Sequence, residues 1–286
     1  MVDRAGKSAL YPRAMGDPTA IARQNALERI EADAWESLCR AAPRPLASAL
    51  GLEVHRFGEA LMTLCARIDQ GQFNRLFGLG LEEGGEAGTI AEAAARFKAA
   101  GLRNPFIQIP PGHSELETAS QAAGLCLHKR PWVKFQRGPG DVPRPVTGVE
   151  IAPVSLKNAG LFGSVIAVGF GMPPALADWL AGLVERSGWQ CYLAWDGDVA
   201  IGGAALYLKD EAAWLGAGAS RPDARRRGAQ SALLARRIAD ASHAGATLIT
   251  TETGKPLPGE DHPSYRNIAR SGFTIAYERT NWTFAS

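Results

Sequence analysis

The order of predicted helices and strands occurs twice along this chain, and that repeat is the strongest constraint on its fold. In the second half, apolar periodicity and turn residues predict two helices, three strands, a helix, a strand, a helix and a last strand. The first half repeats this order, from a long helix over 19–41 to the closing segment LCLHKRPWVKF, 125–135. Copies separated by about 145 residues indicate a domain duplication and not a solenoid of short units. The sequence therefore predicts two copies of one fold.

The division between the copies is predicted at the stretch QRGPGDVPRPVTG, 136–148. Glycine and proline occupy four of its first eight positions and no apolar periodicity runs through it, which is typical of an extended, exposed linker. The predicted organisation is therefore a loose N-terminal tail over 1–18, a first domain over 19–136, a linker over 137–148 and a second domain over 149–286.

Composition argues against several classes of protein. A chain of 286 residues is long enough for two domains, and 46% hydrophobic with 21% charged residues is ordinary for a soluble globular protein. The formal net charge of +2 is small for a dedicated nucleic-acid binder, so no nucleic-acid partner is expected. No signal peptide is visible, and no apolar run approaches the roughly 18 residues that span a bilayer, so no membrane partner is expected.

The spacing of cysteine and histidine predicts no metal site. Cys39, Cys65, Cys126 and Cys191 are too far apart in sequence to form a CxxC pair, and the five histidines form no HExxH pattern. Scattered thiols in a chain of this length suit a reducing compartment. The sequence therefore predicts a cytoplasmic protein.

The stretch RPDARRRGAQSALLARRIADA, 221–241, carries the clearest chemical signal. It follows a predicted strand over 212–220 and runs into a predicted helix, whose first N–H groups have no partner within the helix and carry partial positive charge. Gly228 lets a ligand approach the backbone closely, and the arginines 225–227 surround the same point with donors suited to phosphate oxygens. This arrangement predicts a pyrophosphate-binding loop; a solvated charge run before a helix is the alternative.

The same stretch resembles motif A of the GNAT-type N-acetyltransferases, whose pattern is roughly Q/R-x-x-G-x-G/A after a segment that contains proline. Arg225 matches the first position of the pattern, Gly228 the second, and Pro222 the preceding proline. The segment 232–234 matches the small-Leu-Leu that follows. Gln230 stands where the family usually has Gly or Ala, and is the one departure from the motif.

The resemblance covers about 149–286, since the element order there and the closing Gly272-Phe273 also resemble the family. It implies an α/β (α+β) fold of two GNAT-like domains, each with a mixed, mostly antiparallel sheet and flanking helices. It also implies acetyl-CoA as co-substrate, bound by its pyrophosphate at motif A and by its pantetheine arm where the preceding strand splays from the next. The cofactor-binding residues predicted in this way are Gly218, Ser220, Arg225, Arg226, Arg227, Gly228, Ala229, Gln230 and Asn267.

The first half lacks the basic loop. Between its third strand and the following helix stands LEEGGEAG, 81–88, and Glu82, Glu83 and Glu86 occupy the place that the arginines hold in the second half. Carboxylates at a helix N-terminus complement the helix dipole and would repel a pyrophosphate. We therefore expect a degenerate GNAT-like domain without a CoA loop, which supports or covers the substrate cleft.

Acetyl transfer to an amine requires a base for the amine proton and an acid for the departing thiolate. The family often uses a tyrosine four residues before the closing glycine as the acid. That position is Ile268 here, and Tyr265, one turn earlier on the same predicted helix, is the candidate in its place. Glu252 follows a predicted strand at the sheet edge where ligands collect, and is the candidate base. A packed tyrosine and a solvated loop glutamate are the alternatives for these two residues.

The leading hypothesis is an acetyl-CoA-dependent N-acyltransferase that acts on an amine of a small molecule or peptide. The alternative is a non-catalytic acyl-CoA-binding module, which Ile268 at the tyrosine position leaves open. A nucleic-acid binder that uses the arginines is opposed by the near-neutral charge. The sequence leaves the identity of the acceptor and the length of the acyl chain open.

Overall fold

A computed structural model describes residues 18–81, 86–142, 144–145 and 148–285. In the first half the helices are α1 (Pro18–Arg40), α2 (Arg44–Leu50), α3 (Glu86–Ala99) and α4 (Ser114–Ala122). The strands of this half are β1 (Leu52–Phe57), β2 (Ala60–Cys65), β3 (Arg75–Phe77), β4 (Phe106–Ile109), β5 (Leu125–Leu127) and β6 (Trp132–Arg137). The long predicted helix is α1, which buries Leu27, Ile30, Ala34, Trp35 and Leu38 at helical spacing.

From its first helix onward the second half follows the predicted order of elements, but a strand that was not predicted, β7 (Glu150–Pro153), precedes that helix. Its other strands are β8 (Trp189–Asp196), β9 (Val199–Lys209), β10 (Ala212–Ser220), β11 (Leu248–Gly254) and β12 (Thr274–Phe284). Its helices are α5 (Ala159–Phe170), α6 (Ala177–Ala181), α7 (Ala229–His243) and α8 (Pro263–Arg270). Gly197, in the left-handed region at φ 59°, forms the predicted tight turn between β8 and β9.

All the strands join one sheet, with the order β1-β2-β3-β4-β12-β6-β11-β10-β9-β8-β7 and with β5 paired to β12. Neighbouring strands are antiparallel except for the pairs β3–β4 and β10–β11, which hold corresponding places in the two halves. The predicted fold class, a mixed and mostly antiparallel sheet with flanking helices, is confirmed.

The two halves exchange their last strands. Strand β6 of the first half lies between β11 and β12, where Lys134 is opposite Glu252 on one side and Tyr277 on the other. Strand β12 of the second half in turn pairs with β4 and β5. Each half is therefore completed by a strand of the other, although the predicted domain boundaries follow the order of the chain.

Two local predictions differ from the structure. The segment 125–135, predicted as one closing unit, is divided into β5 and β6, because Pro131 has no N–H to continue the ladder. Glu86, predicted to lie between the third strand and the following helix, is the first residue of α3, and both of its carboxylate oxygens accept the backbone N–H of Gly80 at 2.9 Å. Glu82 and Glu83, which were expected beside it, lie outside the described residues.

Helix α1 is fixed over the sheet by a buried network of charges. Glu28 and Glu31 on α1 are fully buried and meet three equally buried cations, Arg75 on β3, Lys134 on β6 and Arg279 on β12. Burial alone would raise the pKa of Glu31, but these cations together lower it below its ordinary range. Removing one member of such a network leaves a buried charge without its partner and costs about 3–5 kcal/mol.

Candidate active site

The predicted pyrophosphate loop has an unusual backbone. After a short helical turn over Pro222–Ala224, the left-handed region is occupied by Arg226 at φ 66° and by Gly228 at φ 89°. Gly228 is the residue that precedes α7, and no side chain caps the N-terminus of that helix. Positive φ is unfavourable at a residue such as Arg226, and backbone of this kind forms anion-binding concavities. The predicted glycine geometry is therefore present in the fold.

The three arginines are exposed around this turn. Arg227 pairs with Asp196, the last residue of β8, at 2.8 Å, and Arg221 pairs with Asp223 at 2.8 Å. Arg225 and Arg226 make no ion pair with the described residues. Surface ion pairs contribute little to stability, so the loop can give up these contacts to an anion at small cost.

Behind the loop the parallel strands β10 and β11 separate. Their register runs only from Ala212 opposite Leu248 to Trp214 opposite Thr250. Beyond it, β10 shifts its pairing to β9 between Gly216 and Ala219, and Ala217 in this bulge has φ 48°. A bulge bends a strand away from its neighbour. The result is the splayed pair of strands that was expected just before motif A.

Arg237 of α7 holds the bulge in place and was not identified from the sequence. Its side chain donates to the carbonyls of Gly216 and Ala205 at 3.0 Å and to that of Leu233 at 3.1 Å. The residue is 2% exposed, and burial lowers the pKa of the guanidinium to about 10. It has no carboxylate partner among the described residues.

A cavity of about 250 Å³ occupies the gap between β10 and β11. Four of the predicted site residues line it, and they come from four elements of the second half: Gly218, Gln230, Glu252 and Asn267. The first half adds Trp35 of α1, Gln72 and Phe73 of the turn before β3, and Trp132 of β6. The expectation that the first half covers the cleft therefore agrees with the walls of the cavity.

Glu252 is the buried carboxylate of this cavity, with a side chain 6% exposed. The indole Nε1 of Trp214 donates to its Oε2 at 2.9 Å, and Lys134 Nζ lies 3.6 Å from the same oxygen. Oε1 has no hydrogen-bond partner among the described residues. Burial raises the pKa of Glu252, and the neighbouring Glu31 raises it further, against the opposing effect of Lys134, Arg75 and Arg279. Glu252 is therefore buried in the wall of the cavity and is not part of a solvated loop.

Tyr265 is not among the described residues that line the cavity, whereas Ser264, Asn267 and Ile268 of the same helix are. Its ring packs edge-on against Phe135 of β6, with centroids 5.2 Å apart, and its backbone N–H donates to His262. The structure thus brings Glu252 to the cavity and leaves Tyr265 beside it, and the acid role of Tyr265 stays a prediction.

The remaining predicted residues lie between the loop and the cavity. Gln230 Nε2 donates to Ser220 Oγ at 3.3 Å, and a Cβ added to Gly218 would lie 3.5 Å from Gln230 Oε1. Ala229, the first residue of α7, is buried in the core beneath the loop. Among the described residues, no group of three or more His, Cys, Asp or Glu side chains is arranged to hold a metal ion. No described helix is both long and apolar enough to cross a membrane.

No local pattern in the sequence indicated the site residues of the first half, because their place depends on strand exchange. Strand β6 inserts beside β11 and brings Lys134 and Trp132 to the site. The packing of α1 over the sheet brings Trp35 there. One signal was present: Pro131 interrupts the segment 125–135 and favours two strands over one.

Comparison with solved structures identifies the fold. A GCN5-related N-acetyltransferase from Kribbella flavida is 18% identical and matches 91% of this chain and 96% of its own, with a TM-score of 0.59. One from Sphaerobacter thermophilus is 14% identical and matches 92% of each chain, with a TM-score of 0.57. A tandem GNAT protein from the clavulanic acid biosynthesis pathway is 13% identical and matches 94% of this chain and 95% of its own, with a TM-score of 0.56.

No family model matches the sequence, and no curated protein matches it significantly. At these identities the likeness concerns the fold, and it extends over both halves of the chain. The chain has the fold of the GNAT acetyltransferases.

Proposed function

We propose that the protein is an acetyl-CoA-dependent N-acyltransferase that transfers an acetyl group to an amine. The observation that carries this proposal is the path between the exposed basic loop and a buried carboxylate. The path begins at the N-terminus of α7, passes the bulge of β10 and ends at Glu252. One cavity connects the bulge of β10 with Glu252. A pyrophosphate, a pantetheine arm and a thioester need these surroundings in this order.

Different parts of the proposed site bind different parts of acetyl-CoA. Arg225, Arg226 and the free N–H groups at the start of α7 bind the pyrophosphate, as anions bind at helix N-termini. Backbone groups at Gly218 and Ser220, which β10 frees at its bulge, bind the pantetheine arm, and Asn267 faces it across the cavity. Arg237 keeps the strands apart by holding the carbonyl of Gly216.

Glu252 then acts as the general base. Its unpaired Oε1 accepts a proton from the acceptor ammonium, and the free amine attacks the thioester carbonyl carbon. The C–N bond forms and the C–S bond breaks, and the departing CoA thiolate takes up the proton that the nitrogen loses as it becomes an amide. Lys134 and Trp214 hold Oε2, so the base is oriented before the amine arrives.

Two measurements test this function. Titration calorimetry should show one CoA bound per chain, and thiol release should require both acetyl-CoA and an amine. The alternative, an acyl-CoA-binding module, predicts the binding without any thiol release across a broad amine panel. The absence of CoA binding by the folded chain would exclude both.

A further inference from the structure

The cavity has two chemically different sides. On the side of α7, Leu215, Leu234 and Ile268 pack with Arg237 and the bulge of β10, where the proposed acyl donor lies. On the side of α1 and α5, the wall is built from aromatic side chains, namely Trp35, Phe73, Trp132, Trp179 and Trp214. Glu252 stands between the two sides, so the aromatic side is where an acceptor amine must lie.

The aromatic side offers an acceptor one charged partner. Glu252 and Arg237 are the charged residues among the described residues that line the cavity, and Arg237 is bound to three carbonyls on the opposite side. Gln72 is the polar, uncharged side chain on the aromatic wall. A second charge on the acceptor would be buried without a partner, which is costly. Polyamines, aminoglycosides and basic peptides therefore fit this wall poorly.

The aromatic side is also closed by the packing of the two halves. Trp179 Nε1 donates to the carbonyl of Leu38 at 2.7 Å, and Trp189 Nε1 donates to Ser37 Oγ at 3.0 Å. These bonds tie α6 and β8 to α1, which the buried charge network already fixes. Exposed residues border the cavity at two places, at the end of α5, where Phe170 is 43% exposed, and at the start of α8, where Ser264 is exposed. A folded protein surface cannot enter such a space.

The volume limits the acceptor further. An apolar cavity of about 150 Å³ accommodates a benzene ring. The 250 Å³ found here must hold the end of the pantetheine arm and the acetyl group as well as the acceptor. A single ring with a short chain fits this space, whereas an oligosaccharide does not.

On the basis of the acyl-transfer function above, we propose that the acceptor is a small primary amine on an aromatic or similarly apolar body, with no second charge. The ring lies against Trp35, Trp179 and Phe73, and the ammonium group meets Oε1 of Glu252. Tryptophan faces also attract the cation itself.

A matched panel of acceptors tests the proposal on the full chain. The panel contains 2-phenylethylamine, L-phenylalanine, 1,4-diaminobutane, a lysine-containing peptide and an aminoglycoside, and kcat/KM is measured by thiol release. Phenylalanine adds only a carboxylate to the first compound, and the diamine replaces the ring with a second charge. We expect 2-phenylethylamine to exceed every other member by about tenfold or more. The diamine lacks the ring, whose removal from water is worth a factor of that size, and phenylalanine carries a carboxylate that would be buried without a partner. A kcat/KM higher than that of 2-phenylethylamine for any member with a second charge overturns the proposal.

A pair of variants at Met172 provides a second test. This half-buried residue borders the cavity near the end of α5. Met172→Glu places a second carboxylate on the apolar side and should raise kcat/KM for 1,4-diaminobutane relative to 2-phenylethylamine by about tenfold. Met172→Gln, with the same length and no charge, should leave the order of the panel unchanged. An equal change of preference in both variants counts against the proposal.

Binding of the amine separates this proposal from the function on which it rests. Calorimetry with 2-phenylethylamine on the CoA-loaded chain should show saturable binding that weakens with added NaCl less than diamine binding does. If the amine binds but no thiol is released with any acceptor, the catalytic function fails and the assigned ligand class stands. If the peptide or the aminoglycoside is acetylated and the aromatic amine neither binds nor reacts, the function stands and the acceptor class is wrong.

Discussion

The two halves of the molecule build the same strand–loop–helix unit and use it in opposite ways. In the second half, β10 and β11 separate around a cavity, and the loop before α7 presents exposed arginines and Gly228. In the first half, the corresponding space is filled by the chain. Glu86 of α3 accepts the N–H of Gly80, and a Cβ added at Gly80 would come within 2.4 Å of His113 Nε2.

The proposed function assigns the binding of acetyl-CoA to the second half and the support of the site to the first. A carboxylate and an imidazole lie beside the loop of the first half, and a carboxylate there repels an anion such as a pyrophosphate. That half instead contributes Trp35, Trp132 and Lys134 to the site of the other.

The largest effect is expected from separating the halves. A fragment of residues 149–286 lacks β6, so β11 and β12 both lose a ladder partner and Glu252 loses Lys134. We expect this fragment to show no cooperative thermal transition by circular dichroism. Co-expression with residues 18–148 restores β6 and should restore both the transition and CoA binding. A fragment 149–286 that melts cooperatively and binds CoA would mean that the exchanged strand is dispensable.

The next largest effect is expected at the loop. Gly228→Glu places a carboxylate beside the proposed pyrophosphate, and like charges at an interface cost several kcal/mol, so CoA affinity should fall by about 100-fold or more. Gly245→Glu is the matched control, because Gly245 follows α7 with φ 86°, close to the 89° of Gly228, and has open space around it. It imposes the same strain and charge away from the site. Equal CoA affinity in the two folded variants would remove the loop from the binding site.

The loop before α7 and the exchanged strand β6 differ in how far the sequence alone could predict them. The loop could be predicted, because a strand, a glycine in need of positive φ and a helix are local patterns, and Gly228 has that conformation. The exchange of β6 could not, since local periodicity does not specify which distant strand completes a sheet. The role of Arg237 could not be predicted for the same reason, because its partners Ala205 and Gly216 lie on strands far from it in sequence.

An intermediate effect is expected at the base. Glu252→Gln keeps the side-chain shape but cannot accept the proton, so kcat should fall by roughly 10²–10⁴ while CoA affinity stays within a few-fold. In the wild type, burial raises the pKa of Glu252, so kcat should rise with pH through a midpoint above the ordinary glutamate value of about 4.3. The rise follows deprotonation, because only the carboxylate accepts a proton. The variant should lack this limb and regain activity at high pH, where the free amine is abundant. A wild-type pH profile in Glu252→Gln would assign the limb to another group.

The smallest effect is expected at Tyr265. Its ring packs against Phe135 of the exchanged strand, and it does not line the described cavity, whereas Ser264 does. Tyr265→Phe keeps the ring and its packing, so it should change kcat by less than about twofold. Loss of a general acid from the chemical step would instead lower kcat by roughly 10²–10⁴. Tyr265→Ala, which removes the ring, should instead lower the melting temperature, because it leaves a void against Phe135. Stopped-flow thiol release at saturating acetyl-CoA measures the first effect and a thermal melt the second. A large loss of kcat in Tyr265→Phe at unchanged melting temperature would show that the hydroxyl reaches the thiolate during turnover, and would return to Tyr265 the acid role that its position on α8 first suggested.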